Sequence, residues 1–179
     1  LSDPNGIRER KPYAIKTLME GLILSGVAMM LVGNSRPASG CEHHLAHYWE
    51  MIFAQQGLPQ AYHGAKVGIA TPIIASVYNK LMSFSEARVK ALAEAYQPVS
   101  EQTRRQDIIN AFGALSDEVI AESASSWLSE KEQKKRALYI AQRWPDIQAR
   151  LAGSIPQPQA IKDILAKAGA AYSPRHINV

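Results

Sequence analysis

Apolar residues recur along nearly the whole chain at the three- and four-residue spacing of helices, and alternating strand-like segments are nearly absent. The segment from Pro12 to Val32 carries apolar residues on every face, which predicts a central and buried helix. The following "GNSRPASG" contains proline and two glycines, which end that helix. The pattern therefore predicts an all-α fold, a multi-helix bundle of about seven or eight helices.

Capping signals and helix breakers predict where the other helices begin and end. Two Ser-x-x-Glu boxes, Ser39 to Glu42 and Ser83 to Glu86, mark helix starts. Trp144-Pro145 and the segment 153–158 are interpreted as breaks. The remaining helices are expected near residues 39–56, 64–81, 83–97, 100–114, 117–128, 130–143 and 157–168.

The composition is that of a soluble globular domain, with 46% apolar and 20% charged residues in 179. The net charge is +4, and the basic residues are scattered or mixed with acidic ones, as in "SEKEQKKRA". This distribution argues against a nucleic-acid partner. One cysteine, Cys41, excludes an internal disulfide and fits a reducing compartment. The apolar run "GLILSGVAMMLVG" is too short to span a bilayer, so we expect a cytoplasmic protein without a membrane partner.

Four of the five histidines lie close together in the sequence, three of them within "SRPASGCEHHLAHYWEM". On a helix, His43 and His47 share a face while His44 points about 100° away. His63 precedes Gly64, where the next helix is expected to begin. Two antiparallel helices would bring His43 and His63 into one cleft. The pattern fits two interpretations equally well. One is a metal site that is one ligand short of the usual three, and the other is a set of histidines that bond only to backbone and solvent.

Two other residues near this motif have two interpretations each. Glu42 is either the acid of a capping box or a catalytic carboxylate. Arg36 lies in a loop that leads into a helix N-terminus, where an anion is favoured, and it is otherwise an ordinary surface arginine.

The stretch "GNSRPASGCEHHLAHYWEM", followed by "AYHGAKVGIAT", resembles the helical half of sn-glycerol-1-phosphate dehydrogenases. These are metal-dependent polyol dehydrogenases of the dehydroquinate synthase-like superfamily. The resemblance implies a metal held by one aspartate and two histidines, which by motif position are His43 and His63. His47 matches the substrate-facing histidine and is expected to bind substrate and act in catalysis. His44 is the alternative ligand if the register differs by one.

The resemblance also implies a second domain that is absent from this chain. No glycine-rich dinucleotide fingerprint occurs in the sequence. The NAD(P)-binding N-terminal domain, with the aspartate ligand, is therefore expected upstream. Residues 1–11 would be the linker from it, and residues 12–179 the helical metal- and substrate-binding C-terminal domain.

By the same resemblance, the whole protein would interconvert dihydroxyacetone phosphate and sn-glycerol 1-phosphate with a divalent ion, zinc, nickel or iron. Arg36 and Lys66 are the expected phosphate contacts. The enzyme would form a homo-oligomer, and the chain by itself would be inactive. Two alternatives remain: a glycerol dehydrogenase or dehydroquinate synthase-like enzyme, and a stand-alone helical binding module in which the histidines are incidental.

Overall fold

The computed structural model describes residues 3–178, and no strand occurs among them. The predicted all-α fold is confirmed. The helices are α1 (Pro4–Arg8), α2 (Pro12–Val32), α3 (Cys41–Gln55), α4 (His63–Met82), α5 (Glu86–Ala95), α6 (Glu101–Phe112), α7 (Ser116–Ser123), α8 (Glu130–Gln142), α9 (Trp144–Leu151) and α10 (Pro158–Lys167). Three short 3-10 helices span Gly113–Leu115, Ala124–Ser126 and Pro174–Ile177.

Two helices lie where the sequence predicted none. Helix α9 begins at Trp144, although Trp144-Pro145 was expected to be a break. Proline lies in the first turn of α9, where its missing N–H would have no partner in the helix anyway. Helix α1 lies inside the segment 1–11 that was expected to be a linker, and the Asp3 side chain caps it by accepting a hydrogen bond from the Gly6 amide. The linker assignment itself stays a prediction.

The two predicted capping boxes are displaced in the structure. The N-cap of α3 is Gly40, not Ser39, and Glu42 accepts a hydrogen bond from the Gly40 amide. The N-cap of α5 is Ser85, not Ser83. A complete reciprocal box occurs instead at α8, between Ser129 and Glu132. Serine-rich segments offer several caps of similar strength, so local sequence alone left the choice open.

The prediction that α2 is central and buried is wrong. Ala14 is its buried residue, whereas Leu24 and Leu31 are 68% and 83% exposed. The helix also extends upstream of the apolar run "GLILSGVAMMLVG". Among residues 3–178, it is the one helix long and apolar enough to cross a membrane by length and composition, which corrects the expectation that no segment could. Apolar residues on every face predict a covered helix, but they do not specify what covers it.

The chain divides into two compact units, Leu1–Asn79 with Ile155–Val179, and Lys80–Ser154. In the first unit, Trp49 of α3 packs with Ile69 and Ala70 of α4 and with Ile177 near the C-terminus. The carboxamide of Asn79 donates to the carbonyl of Pro156, which ties the end of this unit's α4 segment to the loop before α10. This core fixes α3 against the first turns of α4.

The second unit is held by polar side chains that bond to backbone groups. Buried Gln133 of α8 accepts hydrogen bonds from the Tyr96 hydroxyl and the Val99 amide, and it donates to the carbonyls of Val99 and Leu128. The Trp144 indole donates to the carbonyl of Phe84 at 3.0 Å. Apart from the bond to the Tyr96 hydroxyl, these bonds satisfy backbone groups of loops that no helix pairs.

Candidate metal and substrate site

Helix α3 has two faces with different roles. Trp49 and Phe53, four residues apart, are buried and face the core. His43, His47 and Glu50 recur at i, i+4 and i+7, so they form one stripe along a helix. Core packing of the apolar face therefore orients the polar stripe, and with it both imidazoles and the carboxylate.

Helix α4 adds the next histidine from its first residue. His63 begins α4, and Lys66 follows one turn later. Because Ile69 and Ala70 of the same helix pack in the core against α3, the start of α4 is held beside the polar stripe of α3.

The three histidine rings of the two helices lie close together. The ring centroids of His43 and His63 are 5.5 Å apart, those of His47 and His63 are 5.1 Å apart, and those of His43 and His47 are 6.4 Å apart. One ligand atom each from His47, Glu50 and His63 lies within 4.8 Å of the others. Imidazole and carboxylate donors at this separation suit a zinc, nickel or iron ion, so the residues fit a divalent metal.

Glu50 joins two of the imidazoles. Its Oε2 lies 2.9 Å from Nδ1 of His47, and its Oε1 lies 2.8 Å from Nδ1 of His63. Burial by itself would raise the pKa of this carboxyl, but the hydrogen bonds from His63 and His47 lower it more, so the pKa of Glu50 is below its ordinary value. Glu50 is therefore a carboxylate at neutral pH.

Lys66 lies on the enclosed side of the same cluster. Its side chain is 1% exposed, its Nζ donates to Oε1 of Gln60, and the same atom is 3.9 Å from Oε1 of Glu50. Gln60 in turn donates to the backbone carbonyl of Glu50 at 3.2 Å. Exposure rises from Lys66 through Glu50, at 29%, to His63 and His47, at 48% and 56%. The cluster is thus enclosed at the Lys66 ammonium and open to solvent at the imidazoles of His63 and His47.

His43 has a carboxylate partner of its own. Its Nδ1 lies 2.9 Å from Oε1 of Glu42, which also accepts the Gly40 amide at 2.8 Å. Burial raises the pKa of Glu42, but the hydrogen bonds from His43 and Gly40 outweigh that effect and leave the pKa lowered. Glu42 therefore combines a helix-capping role with a contact to a predicted metal ligand.

The structure brings together His43, His47, His63 and Lys66 from the residues that the sequence singled out. His44 is exposed on α3 and makes none of the three ring contacts that join the other histidines. Arg36 is exposed in the segment between α2 and α3, where its backbone amide bonds to the Asn34 side chain. His176 packs edge-on against Tyr172 near the C-terminus.

Sequence reasoning missed Glu50. The signal was present, since the stripe through His43 and His47 reaches position 50 after one more turn of the helix.

Comparison with known proteins identifies relatives. The chain is 34% identical over 169 residues to a glycerol-1-phosphate dehydrogenase [NAD(P)+] of Geobacillus stearothermophilus, a match over 92% of this chain. It is 54% identical over 76 residues, 42% of this chain, to the protein of that name from Halalkalibacterium halodurans. It is 41% identical over 80 residues, 45% of this chain, to the one from Saccharolobus solfataricus.

The chain is a relative of the glycerol-1-phosphate dehydrogenases. The resemblance that the histidine motif indicated is thereby confirmed. The match to the Geobacillus glycerol-1-phosphate dehydrogenase spans 32% of that protein's length, and the matches to the other two span 18% and 22% of theirs. No family model matches the chain, and no solved structure matches it.

Proposed function

We propose that this chain is the helical metal- and substrate-binding part of a dehydrogenase that interconverts dihydroxyacetone phosphate and sn-glycerol 1-phosphate with NAD(P). The curated relatives are named glycerol-1-phosphate dehydrogenase [NAD(P)+], and the segments matched here are 32% and 18% of the length of two of them. The dinucleotide would bind to an N-terminal domain outside this chain. That domain would also supply the aspartate ligand.

One observation carries the proposal. Three imidazoles and a carboxylate, which come from two different helices, converge within one small cluster. Histidines that only bond to backbone and solvent would have no reason to face one another across two helices. The convergence therefore favours a shared ligand over the stand-alone binding module with incidental histidines.

The residues divide by role as follows. His43 and His63 would hold the divalent ion, which when bound supplies a Lewis acid for the oxygen of the ketone or alcohol. His47, the most exposed of the three rings, would bind a substrate hydroxyl and hold or pass on its proton, as an imidazole does near neutral pH.

Arg36 and Lys66 are the proposed phosphate contacts, and their surroundings differ. Arg36 is exposed, so its guanidinium is open to an anion from solvent. Lys66 is enclosed, and its ammonium would reach a phosphate only after leaving Gln60 and Glu50. Arg36 is therefore the stronger candidate for direct contact.

We further propose that the enzyme is cytoplasmic and forms a homo-oligomer. The exposed apolar residues of α2 would then be covered by protein, either the N-terminal domain or a second copy. Neither a membrane nor a nucleic acid is needed to account for the scattered charge and the apolar helix.

The test is an assay of NADH and NADPH oxidation by the full-length protein that contains this chain. Dihydroxyacetone phosphate should be reduced in the presence of zinc or nickel, and chelation should abolish turnover. His43→Ala should lose activity, whereas His44→Ala, its exposed neighbour on α3, should keep it.

The reverse result for these two variants would move the metal ligand to His44. Turnover of dihydroxyacetone but not of its phosphate would indicate a glycerol dehydrogenase instead. A full-length protein that binds neither metal nor nucleotide would refute the enzyme proposal.

A further inference from the structure

Glu50 uses both carboxylate oxygens on imidazoles, and it uses them on the same ring atom of each. Oε2 faces Nδ1 of His47, and Oε1 faces Nδ1 of His63, at 2.9 and 2.8 Å. An ionised carboxylate accepts hydrogen bonds and cannot donate them. Each Nδ1 must therefore carry the proton, and a neutral imidazole then has its lone pair on Nε2.

We propose that Glu50 is a positioning residue that holds His47 and His63 together as Nδ1–H tautomers, so that both present Nε2 lone pairs to a metal ion or substrate. The proposal rests on the proposed function for the ligand but not for the tautomers. Carboxylates that accept the second ring N–H of a metal-binding histidine fix its orientation and raise its basicity. Here one carboxylate would do this for two rings on two helices.

The surroundings of Glu50 hold it in place for this role. The ammonium of buried Lys66 lies 3.9 Å from Oε1, and Gln60 connects that ammonium to the backbone carbonyl of Glu50. Lys66 thus opposes the negative charge of the carboxylate from the enclosed side. In this arrangement the Lys66 ammonium is a charge partner of Glu50, and it would have to leave that carboxylate to contact a phosphate.

Glu50→Gln is the discriminating variant, because glutamine has nearly the shape of glutamate but offers one acceptor oxygen and one NH₂ donor. It can keep one Nδ1–H tautomer and must disfavour the other. The readout is long-range proton–nitrogen NMR of the imidazoles in the metal-free 179-residue chain at about pH 8.5, where imidazole is neutral. Wild type should show both His47 and His63 as Nδ1–H, and Glu50→Gln should shift at least one to Nε2–H.

Zinc titration provides a second readout. Glu50→Gln should weaken zinc binding about tenfold to a hundredfold at unchanged stoichiometry. Both Nδ1–H signals should persist in the zinc-loaded wild type. Their loss would show that zinc binds Nδ1, and this would overturn the positioning role.

Two controls limit the interpretation. Glu42→Gln should leave the tautomers of His47 and His63 unchanged, because Glu42 bonds to the ring of His43 and to the Gly40 amide. Glu118→Gln, at an exposed position of α7 in the other unit, should change neither the tautomers nor zinc affinity. If Glu50→Gln fails to fold, Glu50→Asp is the substitute, since its shorter side chain cannot reach both rings.

The outcomes separate this proposal from the proposed function. Wild-type rings in the Nε2–H form, or tautomers indifferent to Glu50→Gln, would overturn the positioning role whatever the metal does. Tautomers that follow Glu50 in a protein that binds no metal, even at full length, would support the positioning role and refute the metal site.

Discussion

Helices α2 and α4 are the two longest in the structure, with 21 and 20 residues, and they differ in how far they are buried. The most apolar 18-residue stretch of α2 has a mean hydropathy of 1.7, and none of it is buried. Helix α4 contains a proline and begins with a histidine, yet five of its residues are buried. The more hydrophobic helix is thus the one left uncovered.

The difference teaches that apolarity determines whether a helix needs a cover, but not where the cover comes from. Small residues such as Ala65 and Ala70 let other elements approach α4 closely, and Trp49 and Ile177 fill the space beside it. Near its start α2 packs on α1, where Ala14 is buried, and the rest of the helix presents large apolar side chains to solvent. Exposed apolar surface of this kind is typical of sites that contact another protein or a membrane.

The largest effect on stability is expected from a pair of isoleucine truncations, one in each of these helices. Ile69→Ala in α4, at a position 1% exposed, should lower the free energy of unfolding by about 2–5 kcal/mol, because it leaves a cavity. Ile23→Ala in α2, at 62% exposure, should cost less than about 0.5 kcal/mol. Urea unfolding followed by circular dichroism measures both, and equal losses would erase the contrast.

A functional contrast follows from where the proposed metal ligands lie. His63→Ala at the start of α4 should weaken zinc and nickel binding by at least about tenfold to a hundredfold. Loss of a proposed ligand should cost no less than loss of a side chain that only hydrogen-bonds to a ligand. Calorimetry on the folded variant gives the affinity. The matched control is His44→Ala, which should bind as wild type does, and an equal effect of both variants would show that the cluster is not the site.

The exposed face of α2 should make the chain self-associate. Leu24→Glu with Leu31→Glu should raise the dissociation constant of that association at least about tenfold, because each leucine contributes about 1.5–3 kcal/mol when it is buried. Sedimentation velocity over a range of concentrations measures it. Leu138→Glu, a half-exposed leucine of the second unit, is the control and should have little effect. A wild-type chain that stays monomeric throughout would contradict the prediction.

The smallest effect expected is a gain in stability from a single substitution in α2. Gly26 lies within α2, and a Cβ added there meets nothing within 4 Å. Gly26→Ala should therefore raise the free energy of unfolding by about 0.5–1 kcal/mol through helix propensity alone.

Gly33, which ends α2 with φ of 74°, is the opposite control. Alanine there is forced into a left-handed conformation and should destabilise the chain by about 1–2 kcal/mol. A loss of stability on Gly26→Ala would show that α2 is covered after all.

The sequence by itself determined the helical class and most helix positions. Both depend on apolar periodicity and on helix-breaking residues, which are local signals that span only a few residues. It also determined that His43 and His47 share a face, since helix geometry alone requires this. It could not predict α9, because a proline after a tryptophan either breaks a helix or starts one, depending on what precedes it. The choice of N-cap at Gly40 and Ser85 was open for a similar reason, with competing caps one or two residues away.

Only the tertiary structure decided which charges meet. Glu50 bonds to His63, thirteen residues away on another helix, and Lys66 is enclosed beside them, because Trp49 and Ile69 pack α3 against α4. Charged side chains on two helices can pair only if their faces turn toward each other. The orientation of those faces depends on how the whole apolar surface of the chain is buried. The same physics left α2 exposed: hydrophobicity is a property of its residues, but burial is a property of what surrounds them.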